Sequence, residues 1–448
     1  MKNWHPPSKQ NVLILSVFYA ITIAAFYLAA TSINSQNENL AIARTFICIL
    51  LLPILSKYIL QLIALPFYTL KEKLQHKSNQ KTNQSTLSVS VIIPAYNEEV
   101  GIIKTLKSVL NTGYKKLEVI IVNDGSTDNT HQLVTNFISE IKENEYDNTR
   151  IKYLQLNNGG KARALNKALK LASNDIIMTI DGDCLMDKNA ISNTVKRFNC
   201  DKVGAVAGNV IVGNKSKAIE VIQQLEYLCG FFLRRADSVF NSVFIIGGAA
   251  AAYRRNVLLE VGDFCTDIVT EDIEMSTRIL AAGYNTRYAA NAVTYTEGPS
   301  TWRSLCAQRL RWKFGRFQTF IKFQNLFFSK HKQHNKYLTW LLLPIAVYAE
   351  FILLIEVVVL AVFFSYTFIC NDYVPLVMLI TLMATLIMLQ VFFDSKKHFH
   401  KNLLLIAPIA WLLFLVVDVV EFQALFRSLK RLYKKENLQW QKWVRIGL

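Results

Sequence analysis

Long apolar segments at both ends of the chain constrain its fold more than any other feature. Residues 11–32 carry no charge, and residues 46–70 carry only Lys57. Two further apolar segments, 338–366 and 374–393, lie toward the other end. A transmembrane helix needs about 20 predominantly apolar residues, and each of these segments is long enough. The sequence therefore predicts a multi-pass membrane protein with a soluble domain between two membrane parts.

Basic residues beside these segments predict which side of the membrane the soluble domain occupies. Four lysines directly follow the second segment: Lys71, Lys73, Lys77 and Lys81. Lysine and arginine are enriched in cytoplasmic loops, so the domain that follows is predicted to be cytoplasmic. The formal net charge of +17 reflects this topology. A nucleic-acid-binding protein is disfavoured, because the charge is not clustered in a binding motif.

The last apolar segment, 403–426, leaves two topologies open. If it crosses the membrane, the basic tail at 427–448 lies outside, against the distribution of charge expected for cytoplasmic loops. If it is re-entrant or interfacial, the tail stays inside. Phe422, Leu425 and Leu429 recur at helical spacing, which is typical of an amphipathic helix on a membrane surface.

Two acidic residues inside the 338–366 segment also allow two interpretations. Glu350 and Glu356 would be costly to expose to lipid, so each is expected to face a cavity or a cationic partner. A channel lining is one interpretation. An ion pair with a residue such as Lys57 is the other.

The middle of the chain has the alternating pattern of an α/β domain. After a polar linker at 76–87, strand-like segments occur at 88–95, 117–124, 151–156 and 175–181, and helical segments occur at 97–111, from about 128, and at 161–172. Strands that alternate with helices predict βαβ units and a mostly parallel sheet. Ligands of such sheets bind at the carboxyl ends of the strands, where the polar residues of this chain cluster.

Several of these polar residues suit the binding of a nucleotide diphosphate. Asp181 and Asp183 form a D-x-D motif at a strand end, and Mg²⁺ prefers one or two carboxylates together with substrate phosphates. Asp124 either accepts a hydrogen bond from a base or ribose or belongs to a simple turn before a helix. Gly159 and Lys161 open another helix, where backbone amides and a cation can approach phosphate. The Walker spacing of an ATPase is absent.

The acidic motif at 270–272 offers a general base, which glycosyl transfer to a hydroxyl requires. Asp272 is the predicted base, with Glu271 and Glu274 as alternatives. The basic, aromatic segment 302–323 contains Gln308-Arg309-Leu310-Arg311-Trp312. Arginine binds diphosphate bidentately and tryptophan can stack on a sugar ring, so its first part is predicted to complete the site. Its second part, 313–328, is predicted to rest on the membrane.

The seven cysteines exclude two further classes of protein. Their number is odd, and no two of them form a C-x-x-C pair. The sequence therefore predicts neither a disulfide framework nor a zinc site. A reducing compartment is expected for the soluble domain.

Taken together in chain order, these motifs resemble those of the processive, membrane-bound family 2 glycosyltransferases. The matching motifs are PAYNEE (94–99), VNDGSTD (122–128), GGKARALN (159–166), DGD (181–183), TED (270–272) and QRLRW (308–312). The resemblance runs from about 88 to 315 and implies a GT-A fold, that is, a Rossmann-like, mostly parallel α/β sheet. It also implies an inverting mechanism, a UDP-sugar donor and Mg²⁺ (or Mn²⁺).

The resemblance also assigns expected roles to individual residues. The uridine side of the donor would be held by Ala95, Tyr96, Glu98 and Asp124. The donor diphosphate would lie against Lys161 and Asp181, with Asp183 on the metal and Asp272 as the base. The acceptor and diphosphate side would be formed by Gly247, Gly248, Gln308, Arg311 and Trp312, although Ala249–Ala252 is more apolar than the family's loop.

Within that family the chain is most similar to bacterial poly-N-acetylglucosamine synthases, so the expected product is a β-linked polysaccharide made from UDP-N-acetylglucosamine and exported across the membrane. Hyaluronan or chitin synthases are the competing interpretation, followed by a single-addition enzyme with a lipid-linked acceptor. A non-catalytic channel or transporter subunit is the alternative from another class. The implied partners are the donor, the growing polysaccharide, the bilayer and a small accessory membrane subunit.

The predicted domain plan follows from these assignments. Its parts are two transmembrane helices in 1–75, the GT-A domain in 88–300, interfacial helices carrying Q-x-x-R-W in 301–335, two or three transmembrane helices in 336–426 and a basic tail in 427–448. The expected location is the bacterial inner (plasma) membrane, with the catalytic domain on the cytoplasmic side.

Overall fold

The computed structural model describes residues 9–32, 38–81, 87–141, 149–438 and 447. Two helices precede the soluble domain: α1 (Lys9–Thr31) and α2 (Glu38–Lys81). Because α2 continues to Lys81, the first half of the predicted linker at 76–87 is helical, and residues 82–86 lie outside the described part. In the predicted tail at 427–448, residues 439–446 and 448 also lie outside the described part of the chain.

The soluble domain is built on one mixed sheet of eight strands. The strands are β1 (Val89–Ala95), β2 (Leu117–Asp124), β3 (Thr149–Leu156), β4 (Ile176–Thr179), β5 (Leu185–Met186), β6 (Val203–Val212), β7 (Ala251–Arg254) and β8 (Asn285–Thr296). Their order in the sheet is β3-β2-β1-β4-β7-β6-β8-β5. The predicted mostly parallel sheet is confirmed, since β3, β2, β1 and β4 run parallel and β6 runs parallel to β8. Strand β7 is antiparallel to both of its neighbours.

Helices cover both faces of this sheet. They are α3 (Ile102–Leu110), α4 (Thr130–Glu140), α5 (Lys161–Leu171), α6 (Ala190–Val195), α7 (Ala218–Val239), α8 (Arg255–Val261) and α9 (Glu271–Ala281). All residues of β1 and β2 but one are buried, as expected for strands covered on two sides. Two apolar cores result, one on each face of the sheet.

The helix predicted at 97–111 begins later, at Ile102. Asn97 has a positive φ of 55°, a conformation that ends the strand and is tolerated by asparagine better than by most residues. The backbone amide of Ile102 donates to the carbonyl of Glu98 at 2.9 Å. Residues 97–101 therefore form a turn at the carboxyl end of β1.

The C-terminal third is helical. Its helices are α10 (Trp302–Lys322), α11 (Leu343–Ile369), α12 (Val374–Phe393), α13 (Asn402–Ile406) and α14 (Ala410–Lys434), with a π-helical turn at Tyr337–Leu342 before α11. Four segments of the described chain are long and apolar enough to cross a membrane: Thr45–Glu72, Tyr337–Ile369, Val374–Phe393 and Asn402–Lys434. The described apolar part of α1, Ser16–Thr31, is shorter.

The contacts of α13 and α14 favour the re-entrant alternative for 403–426. At one end, Asn402 donates to the side chain of Gln224 in α7 at 2.8 Å. At the other end, Glu421 lies 3.6 Å from Arg309, which donates to Glu226 in α7 at 2.6 Å. Residues two apart on a helix are separated by about 3 Å along its axis, whereas a bilayer core is about 30 Å thick. Both ends of the segment therefore lie near the same turn of α7.

Helix α10 packs with one face against the rest of the protein. In the segment 313–328, which stays predicted to rest on the membrane, Phe314, Gly315 and Phe320 are buried and its end is exposed. Glu350 was expected to line a cavity or to pair with a cation such as Lys57. The structure supports the ion pair, with other partners: Glu350 accepts hydrogen bonds from Lys313 at 2.8 Å and Arg316 at 3.1 Å. Helix α10 is buried because these ion pairs hold it against α11 and α14.

Candidate active site

The loops after β1 and β2 are joined to each other at one edge of the sheet. The Asn97 side-chain oxygen accepts a hydrogen bond from the Thr127 amide at 2.6 Å, and the Asn97 amide donates to Ser126 Oγ at 2.8 Å. The Glu98 amide donates to Thr130 Oγ1 at 2.8 Å. These bonds fix the carboxyl ends of two parallel strands, where a sheet of this type binds its ligand.

Asp124 ends β2 and organises the glycine loop before α5. Its two carboxylate oxygens accept hydrogen bonds from the amides of Gly159 at 3.0 Å and Gly160 at 2.8 Å. Gly125 follows with a φ of +72°, and a Cβ there would lie 2.6 Å from the amide nitrogen of Asn158. Only glycine fits this position without strain. Asp124 thus determines where α5 begins.

Lys161, the first residue of α5, lies near the carboxylates of Asp181, Glu271 and Asp272. Its ammonium group is 2.5 Å from Asp181 Oδ1 and 3.3 Å from Glu271 Oε1. Burial alone would lower the pKa of Lys161, but the neighbouring carboxylates outweigh it and hold that pKa well above its usual value. Burial together with Asp272 raises the pKa of Glu271, although Lys161 opposes that shift. A fixed positive charge therefore stands at the centre of the site.

The predicted metal site has suitable donors. Ligand atoms of Asp181, Asp183 and Cys184 lie within 4.8 Å of one another. Burial, reinforced by the two carboxylates, raises the pKa of the Cys184 thiol well above its usual value. Two carboxylates completed by substrate phosphates are the donors that Mg²⁺ or Mn²⁺ prefers over a thiol. Glu98 is buried. It lies next to Gly182, between the two aspartates, because a Cβ on Gly182 would lie 3.0 Å from Glu98 Cγ.

Asp272 lies in the first turn of α9 and faces the loop at 247–250. Its Oδ2 accepts a hydrogen bond from the Gly248 amide at 2.9 Å, and its Oδ1 accepts one from the Ile273 amide at 2.8 Å. Thr179 at the end of β4 donates to the Gly248 carbonyl at 3.0 Å and anchors that loop to the sheet. A Cβ on Gly248 would lie 2.9 Å from Lys161 Nζ. The predicted base therefore shares one small space with the predicted diphosphate site.

Helix α10 packs directly against the segment that carries this base. A Cβ on Gly315 would lie 2.7 Å from Thr270 Cγ2 and 2.9 Å from Thr270 Cβ, so the helix approaches this closely only because residue 315 is glycine. The side-chain oxygen of Gln318 accepts a hydrogen bond from the Val269 amide at 3.3 Å. Lys322 donates to Glu274 in α9 at 2.6 Å. Three successive contacts thus set the position of residues 269–274.

The Q-x-x-R-W motif lies on α10 two turns before this contact. Gln308 is buried, and its side-chain oxygen has no hydrogen-bond partner among the described residues. The Trp312 ring lies 6.3 Å from the ring of Tyr227 and 4.6 Å from the guanidinium of Arg309. Arg311 is half-buried. Residues 308 and 315 are seven apart and so share the face of the helix that meets the base segment.

The structure brings most of the predicted site residues into one continuous cluster. It joins Asp124 to the glycine loop, Lys161 to Asp181, and Gly248 to Asp272. Ala95 ends β1 on the same edge of the sheet, and Tyr96 directly follows it. Gln308 lies on the same face of α10 as Gly315, which packs against Thr270 beside the predicted base.

Sequence reasoning missed two contributors to the site, Arg234 and Gly315. Glu271, named from the sequence as an alternative base, is a buried partner of Lys161. Arg234 on α7 is near enough to Asp272 for the carboxylate to act on it, although burial is the main influence and lowers its pKa. One guanidinium nitrogen of Arg234 is buried without a partner among the described residues. The sequence could have indicated Gly315, because a glycine inside a helical segment usually has a packing or functional reason.

Comparison with known proteins agrees with this geometry. Residues 90–262 match the family described as glycosyl transferase family 2. These residues are a family 2 glycosyltransferase domain. The matched range contains the sheet edge, the D-x-D motif and the loop at Gly248, while Asp272 and α10 follow it.

Two curated relatives are named poly-beta-1,6-N-acetyl-D-glucosamine synthase. The one from Staphylococcus aureus (strain COL) is 36% identical over 237 residues, which are 52% of this chain and 56% of the relative. The one from Staphylococcus epidermidis is 32% identical over 262 residues, or 57% of this chain and 61% of the relative. The similarity thus spans little more than half the length of these relatives.

A solved structure supports the fold of the glycosyltransferase domain. The mannosyltransferase PcManGT from Pyrobaculum calidifontis, in complex with GDP-Man and Mn²⁺, superimposes with a TM-score of 0.51 at 22% sequence identity. The likeness covers 86% of this chain and 100% of that one. The predicted Rossmann-like GT-A architecture, flanked by apolar helices, is confirmed.

Proposed function

We propose that this protein transfers N-acetylglucosamine from UDP-N-acetylglucosamine to the end of a growing β-linked polysaccharide, with inversion at the anomeric carbon, and passes the product across the membrane. The observation that carries the proposal is the hydrogen bond between Asp272 Oδ2 and the Gly248 amide, 2.9 Å long, beside the Lys161–Asp181 ion pair. A base and a diphosphate site in one space are what transfer to a hydroxyl requires.

The donor half would bind the nucleotide by its two ends. Ala95, Tyr96, Glu98 and Asp124 would hold the uridine side, where the loops after β1 and β2 meet. Lys161 would lie against the diphosphate. Asp181 and Asp183 would hold Mg²⁺ or Mn²⁺, which neutralises charge on the departing diphosphate when bound. Helix α5 begins at Lys161, so its N-terminal amides also favour an anion there.

Asp272 would remove the proton from the acceptor hydroxyl. Each of its oxygens accepts one backbone hydrogen bond, which orients the carboxylate and leaves lone pairs for that proton. The hydroxyl oxygen then forms a bond to the anomeric carbon while the bond from that carbon to the diphosphate breaks. Attack from the face opposite the leaving group turns an α-linked donor into a β-linked product. UDP carries away the bonding electrons and leaves.

Gln308, Arg311, Trp312 and the loop at Gly247 would hold the acceptor end of the polysaccharide. Helix α10 favours retention of that end, because ion pairs bind it to both α11 and α14. A chain terminus held beside the membrane helices can be extended repeatedly and pushed into them. The names of the two staphylococcal relatives support N-acetylglucosamine as the sugar and β-(1→6) as the linkage.

The test uses membranes that contain the full chain, Mg²⁺ and a panel of radiolabelled UDP-sugars. The proposal expects high-molecular-weight polymer from UDP-N-acetylglucosamine alone, cleaved by a poly-β-(1→6)-N-acetylglucosamine hydrolase. Repeating the assay with an accessory membrane subunit from a staphylococcal system tests whether a partner is needed.

Other products would redirect the proposal. Cleavage by chitinase instead keeps the mechanism and changes the linkage, and polymer only with added UDP-glucuronate indicates a hyaluronan synthase. Short, lipid-extractable product indicates a single-addition enzyme. If no donor releases UDP in either assay, catalysis is contradicted and a channel or transporter subunit becomes the better interpretation.

A further inference from the structure

The loop between the membrane helices α12 and α13, residues 394–402, contacts the glycosyltransferase domain beside the D-x-D motif. The Lys396 ammonium group lies 2.6 Å from Asp187 Oδ2, and the two side chains are 32% and 24% exposed. Burial would lower the pKa of Lys396, but its hydrogen bond to Asp187 outweighs that effect and raises the pKa above its usual value. Asp187 is four residues after Asp183, the predicted metal ligand. A cation from the loop therefore reaches the chain segment that carries the metal site.

Contacts on both sides of Lys396 hold this loop against the domain. On one side, the Asp394 side chain accepts a hydrogen bond from the Lys396 amide at 2.7 Å and lies 3.6 Å from Arg235 of α7. On the other side, the Phe399 carbonyl accepts a hydrogen bond from Lys215 at 2.8 Å. The loop is thus anchored at two places besides Asp187, so Lys396 can serve as a fixed point for that carboxylate.

The strand between the metal site and Asp187 is the shortest of the eight and lies at the edge of the sheet. Strand β5 (Leu185–Met186) has two residues and follows β8 at the end of the strand order. The Asp187 amide donates to the Val293 carbonyl of β8 at 3.0 Å. Such a short edge strand makes few ladder hydrogen bonds, so its position depends on what holds its two ends. One end leads to Asp183, about 13 Å of extended chain away at most, and the other is held by the pair of Asp187 with Lys396.

A local effect of this ion pair can be told apart from a general effect on the fold. An ion pair that is partly exposed contributes little to the stability of a whole protein, so its loss should leave the unfolding temperature unchanged. The sign of the change in metal affinity is also informative. Loss of a nearby cation alone would strengthen the binding of a divalent cation. Weaker metal binding after removal of Lys396 would therefore report a displaced Asp183 and not the change in charge.

We propose that Lys396 is a positioning residue for the metal site, because it holds Asp187 and thereby fixes β5 and Asp183. The inference rests on the proposed function in one respect, the assignment of Asp183 to Mg²⁺ or Mn²⁺. The loops on the uridine side are joined to each other within the sheet, so Asp183 is the part of the donor half that the loop at 394–402 influences. A displacement of α12 and α13 is then transmitted to the metal site, and through it to the diphosphate of the donor.

The test measures binding of Mn²⁺ to the purified full chain in detergent, in the presence of UDP, from the electron paramagnetic resonance signal of free Mn²⁺. Lys396→Gln should bind Mn²⁺ about tenfold more weakly, since groups that orient metal ligands have effects of about this size. Its thermal unfolding midpoint should stay that of the wild type. Lys396→Arg, which keeps the ion pair, should retain most of the affinity. Lys397→Gln is the matched control, because it makes the same change of charge at the next, exposed position of the loop, and it should bind at least as tightly as the wild type.

A second variant completes the test. Asp187→Asn removes the other partner and should weaken Mn²⁺ binding by a similar factor, and it carries the test if Lys396→Gln fails to fold. The double variant should bind no more weakly than either single variant, because both changes remove the same interaction. Equal Mn²⁺ affinity in the wild type and Lys396→Gln would overturn the positioning role and leave the proposed function standing. A wild type that binds no Mn²⁺ in the presence of UDP would instead contradict the metal assignment on which both depend.

Discussion

The donor half and the acceptor half of the candidate site are stabilised in different ways. In the donor half, the Asp124 carboxylate and the Asn97 amide side chain bind backbone amides of neighbouring βα loops, within the sheet itself. In the acceptor half, the segment that carries Asp272 is held by α10. That helix is in turn held by Glu350 and Glu421 of helices α11 and α14. The donor half is therefore local to the sheet, whereas the acceptor half depends on the membrane helices.

This difference suits the processive transfer proposed above. In that proposal a nucleotide enters and leaves at every turnover, so its site needs only a stable sheet edge. The polysaccharide end would have to stay in register with an export path, and a base carried by the same helical unit would keep that register. Mutations should therefore separate the two halves: changes in the sheet should act on donor binding, and changes around α10 should act on turnover.

The largest effect is expected from Asp272→Asn. This variant keeps the shape of the side chain and one of its two backbone hydrogen bonds, because the amide nitrogen cannot accept the other. It cannot take the acceptor's proton, so the transfer rate should fall by about 10²- to 10⁴-fold. UDP binding, measured by calorimetry, should stay within about twofold of the wild type, because the donor half is untouched. Asp267→Asn, at an exposed position shortly before α9, is the control for a general loss of negative charge near the base. Full elongation by Asp272→Asn would exclude this residue as the base.

Breaking the ion pairs that hold α10 should destabilise the acceptor half. Lys313 lies 2.8 Å from Glu350 and 2.7 Å from Glu421, and both its side chain and that of Glu350 are buried. Lys313→Met removes the cation that both carboxylates share, while Arg316 still pairs with Glu350 and Arg309 with Glu421. A loss of about 1–3 kcal/mol in unfolding free energy is therefore expected. Detergent-solubilised protein and thermal unfolding provide the measurement.

The matched control for that variant is Lys434→Met. Lys434 pairs with Glu436 at 3.9 Å, and both side chains are about half exposed. Exposed pairs contribute about 0–1 kcal/mol, so this change should leave the unfolding midpoint nearly unchanged. Equal effects of the two substitutions would contradict the role given to the buried network.

A substitution in the donor half should act on donor affinity instead. Asp124→Ala removes the acceptor for two backbone amides, and the glycine loop before Lys161 should lose its fixed position. We expect the KM for the UDP-sugar to rise by about tenfold, with a smaller change in kcat. Initial rates at varied donor concentration measure both. If Asp124→Ala lowers kcat by a larger factor than it raises the KM for the UDP-sugar, Asp124 acts on the transfer step and not only on donor binding, which would contradict its assignment to the donor half.

The smallest effect concerns the pH dependence of the sheet. Burial would raise the pKa of Glu118, but hydrogen bonds from Lys152, Ser90 and Ser173 outweigh it, and that pKa falls below its usual value of 4.5. Because the folded pKa is below the unfolded one, this stabilisation is present above pH 4.5 and is lost as the pH falls through the folded pKa.

Glu118→Gln should flatten this dependence. The thermal unfolding midpoint of the variant, measured in acid and at neutral pH, should change less between the two conditions than that of the wild type. Asp201→Asn is a control, because the Asp201 side chain is fully exposed. If the unfolding midpoint of Glu118→Gln depends on pH as strongly as that of the wild type, Glu118 is not the source of this pH dependence.

The sequence predicted the donor half better than the acceptor half, for a physical reason. Strands β1, β2 and β4 are short apolar runs, and the polar residues that follow them must meet at one sheet edge, so Asp124, Asp181 and Asp183 could be brought together in advance. The neighbours of α10 could not, because they come from helices more than thirty residues further along the chain. Nothing in the sequence around Lys313 indicates that its partners are Glu350 and Glu421.

The same limit applies to the segment 313–328. An amphipathic pattern fits a helix on a membrane surface as well as one buried among other helices, since both have one apolar and one charged face. Only the positions of the opposing carboxylates distinguish the two. Gly315 shows the same limit in another form. A glycine inside a helical segment indicates close packing, but the sequence does not identify Thr270 as the residue it packs against.

The most direct test of this account is the steady-state kinetics of Gly315→Ala. The added Cβ would displace the Thr270 segment, so kcat should fall by about a hundredfold while the KM for the UDP-sugar stays the same. Thr270→Gly, which costs little at a helix N-cap, should restore turnover in the double variant. Gly230→Ala on α7 is the matched control, because a Cβ there meets nothing within 4 Å. A rise in donor KM with unchanged kcat, or a double variant no faster than Gly315→Ala, would contradict the claim that α10 positions the base.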